Sequence, residues 1–315
     1  MKKTISFLLL LIICFTLSAQ RRSDVACGFG TPSCNSSSFS DLFSRNRGGG
    51  NNHLVKYKLQ YIHGFIIDHD ERVSPLIRNN INGVEFAVEF PRYGGKPWHN
   101  FYAFPTTGLG FMYLDLGNSE FLGSAFTFYP YILIPIFQRP MFSFNFKMGA
   151  GLSYVTKTYD PDGPQTRDEN NFAIGTHLNG FLCGGLNVEV LLSRSHQSFL
   201  SRFSLTADAS LHHISNGSIQ KPNAGLNMFN AAVGLKYIPH LANLPMKQQA
   251  RIRRKWSLEP VLGFGVNQQH VSDPKRYLNA SLSVGGYRPL ANVYRFGLNM
   301  DMFYNSAFHS GRTEP

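Results

Sequence analysis

Residues 142–148 read Phe-Ser-Phe-Asn-Phe-Lys-Met, and those positions decide the fold class. Side chains of a β-strand alternate between two faces, so Phe142, Phe144, Phe146 and Met148 share one side while Ser143, Asn145 and Lys147 share the other. The split recurs along the chain. Val55, Tyr57, Leu59 and Tyr61 oppose Lys56, Lys58 and Gln60, and Val84, Phe86, Val88 and Phe90 oppose Glu85 and Glu89. Further on, Leu278, Ala280, Leu282 and Val284 oppose Asn279, Ser281 and Ser283. Tyr294, Phe296, Leu298, Met300 and Met302 likewise oppose Arg295, Asn299 and Asp301. Roughly ten such segments follow one another from residue 53 on, separated by Gly, Pro, Asn and Asp clusters such as Asp160-Pro-Asp-Gly163.

Composition narrows what those strands build. Of 315 residues 43% are hydrophobic, 14% aromatic and 16% charged, whereas an ordinary soluble domain is roughly 25% charged. After residue 20 no stretch approaches the ~18–20 consecutive apolar residues of a membrane-spanning helix, which excludes a polytopic helical protein. The apolar fraction excludes disorder, and glycines without a three-residue period exclude collagen. A soluble sandwich alternates too, but its hidden face is richer in Val, Ile and Leu. Here the apolar face is heavy in Phe and Tyr, opposite Lys, Glu, Arg, Asn and Gly.

At the N-terminus Lys2 and Lys3 precede the apolar run Phe7 to Leu17 and the small residues Ser18 and Ala19, the pattern of a secretory signal. The predicted organisation is a cleaved signal peptide over 1–19, a flexible Ser- and Asn-rich lead-in over 20–52, and a barrel over 53–315. The predicted class is all-β: a transmembrane antiparallel up-and-down β-barrel of eight or more strands. Apolar side chains face lipid, the interior is polar, and closure leaves no unpaired edge. The expected location is the outer membrane of a Gram-negative bacterium. A lipocalin-like exported binder, with its apolar face turned inward, is the competing architecture.

The formal charge is +11, and 11 − 2 = +9 remains once Lys2 and Lys3 leave with the signal. Such a balance suits an anionic partner. Nucleic acid is set aside, because the chain is exported and shows no nucleic-acid-binding motif. The basic run Lys247, Arg251, Arg253, Arg254 and Lys255 fits an interfacial turn or contact with lipid phosphates. Cys27 follows Asp-Val-Ala rather than a Leu-led triplet, so no lipid anchor is expected. Cys27 and Cys34 can pair in an oxidising compartment, which leaves Cys183 free.

The hairpin 203–237 carries candidate chemistry. Phe203, Leu205, Ala207, Ala209 and Leu211 define a greasy face that continues into His213 and Ser215. In the next strand Asn227 heads the face of Phe229, Ala231, Val233, Leu235 and Tyr237. Three polar groups therefore face hydrocarbon, where each costs free energy unless satisfied. Same-face neighbours on one strand stand ~7 Å apart, within reach of an imidazole and a hydroxyl. With Ser215 opposite Asn227, His213 and Asn227 become diagonal neighbours at ~7–8 Å. Ser215 then reads as nucleophile, His213 as general base and Asn227 as the group that fixes the ring. Asn216, Gly217 and Asn223 are candidate oxyanion or substrate-binding groups. The bland alternative is an interfacial belt of polar side chains at a strand end.

The run His213-Ile-Ser-Asn216, followed by Pro222-Asn-Ala-Gly225, resembles the signature of the outer-membrane lipid A 3-O-deacylases, PagL-like acyloxyacyl hydrolases. That family pairs a His-x-Ser-Asn element with a downstream Pro-Asn-x-Gly turn. The resemblance implies an eight-stranded barrel with its triad on the outside wall, an ester-linked acyl chain of lipid A in lipopolysaccharide as substrate, and no cofactor or metal. Outside 213–227 the likeness is to a barrel in general. The family's acid falls twelve residues beyond the serine, where this chain has Asn227. A neutral amide holds a ring tautomer but does not offset imidazolium charge, and Asp208 is of the wrong parity to replace it. Alternating segments also continue past 237, which favours more than eight strands. The ending Gly311-Arg-Thr-Glu-Pro315 has no terminal aromatic, as in a truncated chain. A non-catalytic structural or lipid-binding barrel of the same descent, and a small porin, are the alternatives.

Other candidates are weaker. His63, Asp68, His69 and Asp70 fit no established metal-ligand spacing and read as a solvated loop. His212 is expected to face the interior, and Trp98 and Trp256 read as barrel or interfacial aromatics.

Overall fold

A computed structural model describes residues 55–92, 97–195, 197–239, 255–289 and 295–309. The expected signal peptide, the lead-in, Cys27 and Cys34, the basic run except Lys255, and the end of the chain lie outside them. The barrel strands are β1 (Lys56–Ile66), β2 (Ile81–Pro91), β3 (Thr106–Asp115), β4 (Ser124–Arg139), β5 (Phe142–Val155), β6 (Leu178–Leu191), β7 (Phe203–Ser215) and β8 (Leu226–Tyr237). Each pairs antiparallel with its neighbour, and β1 pairs with β8, so the sheet closes on itself. This is an eight-stranded up-and-down barrel.

Its two faces are inverted relative to a soluble protein. Along β1 the Lys58 side chain is 1% exposed, whereas its neighbour Leu59 is 61% exposed. Tyr61, Phe86, Phe111, Phe128, Leu152 and Val233 continue the exposed apolar band around the outside. Water would not tolerate so large a contiguous patch, but hydrocarbon favours it, and closure leaves the barrel sheet no unpaired edge strand. The barrel is therefore transmembrane. The direction of burial overturns the lipocalin-like alternative, which needs the aromatic face inside.

The lumen is packed with paired charges. Lys58 and Lys147 meet Glu85 at 3.0 and 3.5 Å, and Lys147 meets Asp208 at 2.9 Å. One layer away, Lys236 lies 3.0 Å from both Glu89 and Glu189, and Lys56 lies 2.7 Å from Glu189. Tyr129 and Tyr131 donate their hydroxyls to Glu85 and Glu89 at 2.6 and 2.8 Å. Removing one member of such a network leaves an uncompensated buried charge. Asp208→Ala is expected to destabilise the folded barrel by about 3–5 kcal/mol, read from the urea midpoint of its heat-modifiable gel band.

The expected single barrel over 53–315 is narrower in the structure. Strands β9 (Ser257–Asn267), β10 (Tyr277–Pro289) and β11 (Arg295–Asn305) form a separate antiparallel sheet in the order β11-β10-β9. The reason is topological: β1 and β8 already satisfy one another, so the closed sheet has no edge left to accept a ninth strand. The appended sheet keeps the one-sided pattern, with Leu258, Leu262, Phe264, Leu298, Met300 and Met302 exposed on one face.

Four connections, 67–80, 116–123, 156–177 and 216–225, leave the barrel at one rim. The candidate chemistry sits on the last of them.

Candidate active site

β7 and β8 run side by side with His213 directly opposite Asn227 and Ile214 opposite Leu226. The expected register, Ser215 opposite Asn227, is off by two residues. A slip of two preserves which face every side chain takes, so alternation does not distinguish the registers. Ile214 and Leu226, both fully buried on the inner side, form the last rung, and Ser215 lies just beyond it.

The outward trio is nonetheless assembled. His213 Nδ1 lies 2.7 Å from Asn227 Oδ1, and His213 Nε2 lies 3.0 Å from Ser215 Oγ. All three side chains are half-buried on the outer wall. With the amide oxygen facing it, Nδ1 carries the proton and donates, which leaves the Nε2 lone pair to accept from the Ser215 hydroxyl. A hydroxyl, an imidazole and an amide oxygen are thus linked end to end, the order in which a nucleophile, its base and an orienting group would stand.

The loop after β7 is shaped tightly. Gly217 and Ser218 have φ of +64° and +67°, and the Ile219 N–H donates to Asn216 O at 3.3 Å. Positive φ at both central residues is the mark of a type I′ turn. The turn brings the Gly217 N–H to 3.4 Å from Ser215 Oγ. Asn216 and Asn223 engage each other instead: the Asn216 N–H donates to Asn223 Oδ1 at 3.1 Å. The Asn216 side chain donates to Thr176 Oγ1 at 3.1 Å and Gln220 O at 2.8 Å. Of the expected oxyanion groups, Gly217 is the one whose amide reaches the hydroxyl, and Asn216 and Asn223 fasten the loop.

The returning limb is braced by neighbouring loops. The Ala224 and Gly225 amides donate to Phe172 O and Ala173 O at 3.3 and 2.9 Å, and the Ile67 amide donates to Asn227 O at 2.8 Å. Gly225 has φ +78°, and a Cβ there would sit 3.1 Å from His213 Cε1 and 3.3 Å from Ser215 Cβ. Gly225→Ala is therefore expected to strain the backbone by about 1–2 kcal/mol. The added methyl should also displace the His213 ring from Ser215.

The remaining candidates separate. Asp208 points into the lumen at Lys147. His212 is buried there between Ser210 Oγ at 2.9 Å and Asn230 Nδ2 at 3.0 Å. His63 bonds Asn82, His69 bonds Ile67 O, Asp68 accepts from Ser74, and Asp70 accepts from Arg72, so these four do not converge. Cys183 is a free, buried thiol. Trp98 packs edge-on against His99 in a short helix (Pro97–Phe101) between β2 and β3. Trp256 is exposed immediately before β9, outside the barrel. Sequence reading missed Thr176 and the 172–173 segment, because nothing local marks a loop as the neighbour of a hairpin forty residues on.

The fold and the trio together define a membrane barrel with a hydrogen-bonded Ser, His and Asn trio on its lipid-facing wall. Residues 82–236 match the family model described as lipid A 3-O-deacylase (PagL), so over that span the chain is similar to this family. No curated protein sequence matches the chain. Among solved structures, the outer membrane enzyme PagL is 14% identical with a TM-score of 0.34, covering 57% of this chain and 98% of its own. The N-terminal β-barrel domain of Pseudomonas aeruginosa OprF is 13% identical with a TM-score of 0.33, covering 58% and 97%. Ail, the attachment invasion locus protein of Yersinia pestis, is 10% identical with a TM-score of 0.32, covering 59% and 98%. Scores at this level say nothing about chemistry.

Proposed function

We propose that the protein is a lipid A deacylase of the Gram-negative outer membrane, a serine esterase that uses Ser215, His213 and Asn227. What supports this most is the hydrogen-bonded chain from Asn227 Oδ1 through the His213 ring to Ser215 Oγ, facing outward beside a rim of a membrane barrel. The family match over 82–236 supplies the substrate class. Facing outward beside the rim, Ser215 would meet an acyl ester without that ester entering the lumen.

In this reading His213 Nε2 takes the proton of Ser215 Oγ as Oγ bonds to the ester carbonyl carbon, whose π electrons move onto oxygen. The Gly217 N–H faces the developing oxyanion. The carbon–alkoxy bond then breaks, His213 returns the proton to the departing sugar hydroxyl, and the acyl group stays on Ser215. Water, deprotonated by His213, cleaves the acyl-enzyme, releases the fatty acid and restores the serine. Asn227 holds the Nδ1 proton throughout, and the scheme uses no cofactor.

The test is direct. Refolded protein in detergent micelles with purified lipid A should release free fatty acid above a protein-free control, and no release would end the proposal. The substitution of Asn227 for the family's acid favours a second reading, a non-catalytic lipid-binding barrel. A small porin is disfavoured by the ion pairs and tyrosines that cross the lumen where a channel needs water.

A further inference from the structure

We infer that the appended sheet reaches back to the catalytic hairpin, and that Gln268, in the loop between β9 and β10, is a positioning residue for the turn that carries the Gly217 amide. The inference rests on the esterase reading above. Gln268 is buried. Its main-chain N–H donates to Ser218 O at 2.9 Å. Its side-chain Oε1 accepts the Lys221 main-chain N–H at 2.7 Å, and Nε2 donates to Asp273 O at 2.6 Å. Lys221 Nζ also donates to Gln269 O, a second tie between the same two loops.

Ser218 shows why such a clamp matters. It is a non-glycine residue at φ +67°, a left-handed conformation that costs an L side chain of this kind free energy and persists where the surroundings over-determine it. The bond from Gln268 falls on the carbonyl of that strained residue, one peptide beyond Gly217. The bond to Lys221 fixes the chain two residues past the same turn. The two contacts span 218–221, so the direction of the Gly217 N–H toward Ser215 depends on a residue some fifty positions downstream and outside the barrel. Tyr277 donates to Asp273 at 3.0 Å and so holds the clamp's own loop.

The experiment compares full-length wild type, Gln268→Ala, Gln268→Glu and Ser215→Ala on micellar lipid A, with the heat-modifiable gel band as the measure of folding. Gln268→Ala should lower kcat at least about tenfold while KM stays within about twofold, the signature of misplaced transition-state groups rather than lost binding. Gln268→Glu keeps the acceptor for the Lys221 N–H and should retain more turnover than the alanine variant. Unchanged kcat in Gln268→Ala, or a change confined to KM, overturns the inference while leaving the esterase intact. If Gln268→Ala does not fold, Gln268→Glu decides, and failure of both to fold overturns the positioning role in favour of a structural one. A wild type with no turnover that depends on Ser215 instead removes the esterase reading, and this inference with it.

Discussion

Replacing Ser215 by alanine is expected to reduce fatty-acid release from lipid A by about 10⁴-fold or more, the scale on which loss of a serine nucleophile acts in other hydrolases. The expectation follows from position as well as residue type. Ser215 ends β7 just past the last rung shared with β8, half-buried on the outer wall, with its Oγ 3.0 Å from His213 Nε2. Removing one hydroxyl there disturbs neither the ladder nor the lumen, so the folded gel band should survive unchanged. His213→Ala should produce a comparable loss, and the double variant should be scarcely worse than either single one, because the two groups act as a unit. A fluorophosphonate should label the wild type at Ser215 and leave both variants unlabelled. Fatty-acid release at the wild-type rate by folded Ser215→Ala would falsify the assignment.

How much of this was legible in the sequence depends on what alternation can report. The split of Phe142–Met148 correctly marked a strand with a lipid face, and Lys147 on its other side is now found between Glu85 and Asp208 in the lumen. The split of Leu278–Val284 is just as clean, yet it belongs to a sheet outside the barrel. Period-two patterning tells which faces a strand has, but closure depends on which edges are left unpaired, a property of all strands at once. The trio was legible for the same reason that its register was not. His213, Ser215 and Asn227 share an outward parity in either register, and the inner pairing of Ile214 with Leu226 chooses between them. Gln268 left no local trace, because its role arises from a meeting of two loops that share no pattern.

The second large expected effect concerns Asn227. In a serine protease an Asp-to-Asn exchange at the orienting position costs about 10⁴ in turnover, because the amide permits the wrong imidazole tautomer. Here Asn227 presents its oxygen to His213 Nδ1 at 2.7 Å, so the ring is already held with Nε2 free to act as base. What the amide lacks is charge. When His213 accepts the serine proton, the imidazolium forms on a wall facing hydrocarbon, where a neighbouring carboxylate interacts more strongly than it would in water. Asn227→Asp keeps the shape and the bond and adds that charge, so kcat should rise about tenfold or more, a gain well short of the full protease figure because the tautomer component is already in place. Asn227→Leu keeps the volume but removes the acceptor, and turnover should fall by about two orders of magnitude as the ring loses its anchor. Steady-state fatty-acid release by the two variants therefore brackets the wild type from above and below. A fall in Asn227→Asp would show instead that the neutral amide is the working partner of His213, with the cost of holding a carboxylate beside lipid outweighing what it returns to the imidazolium.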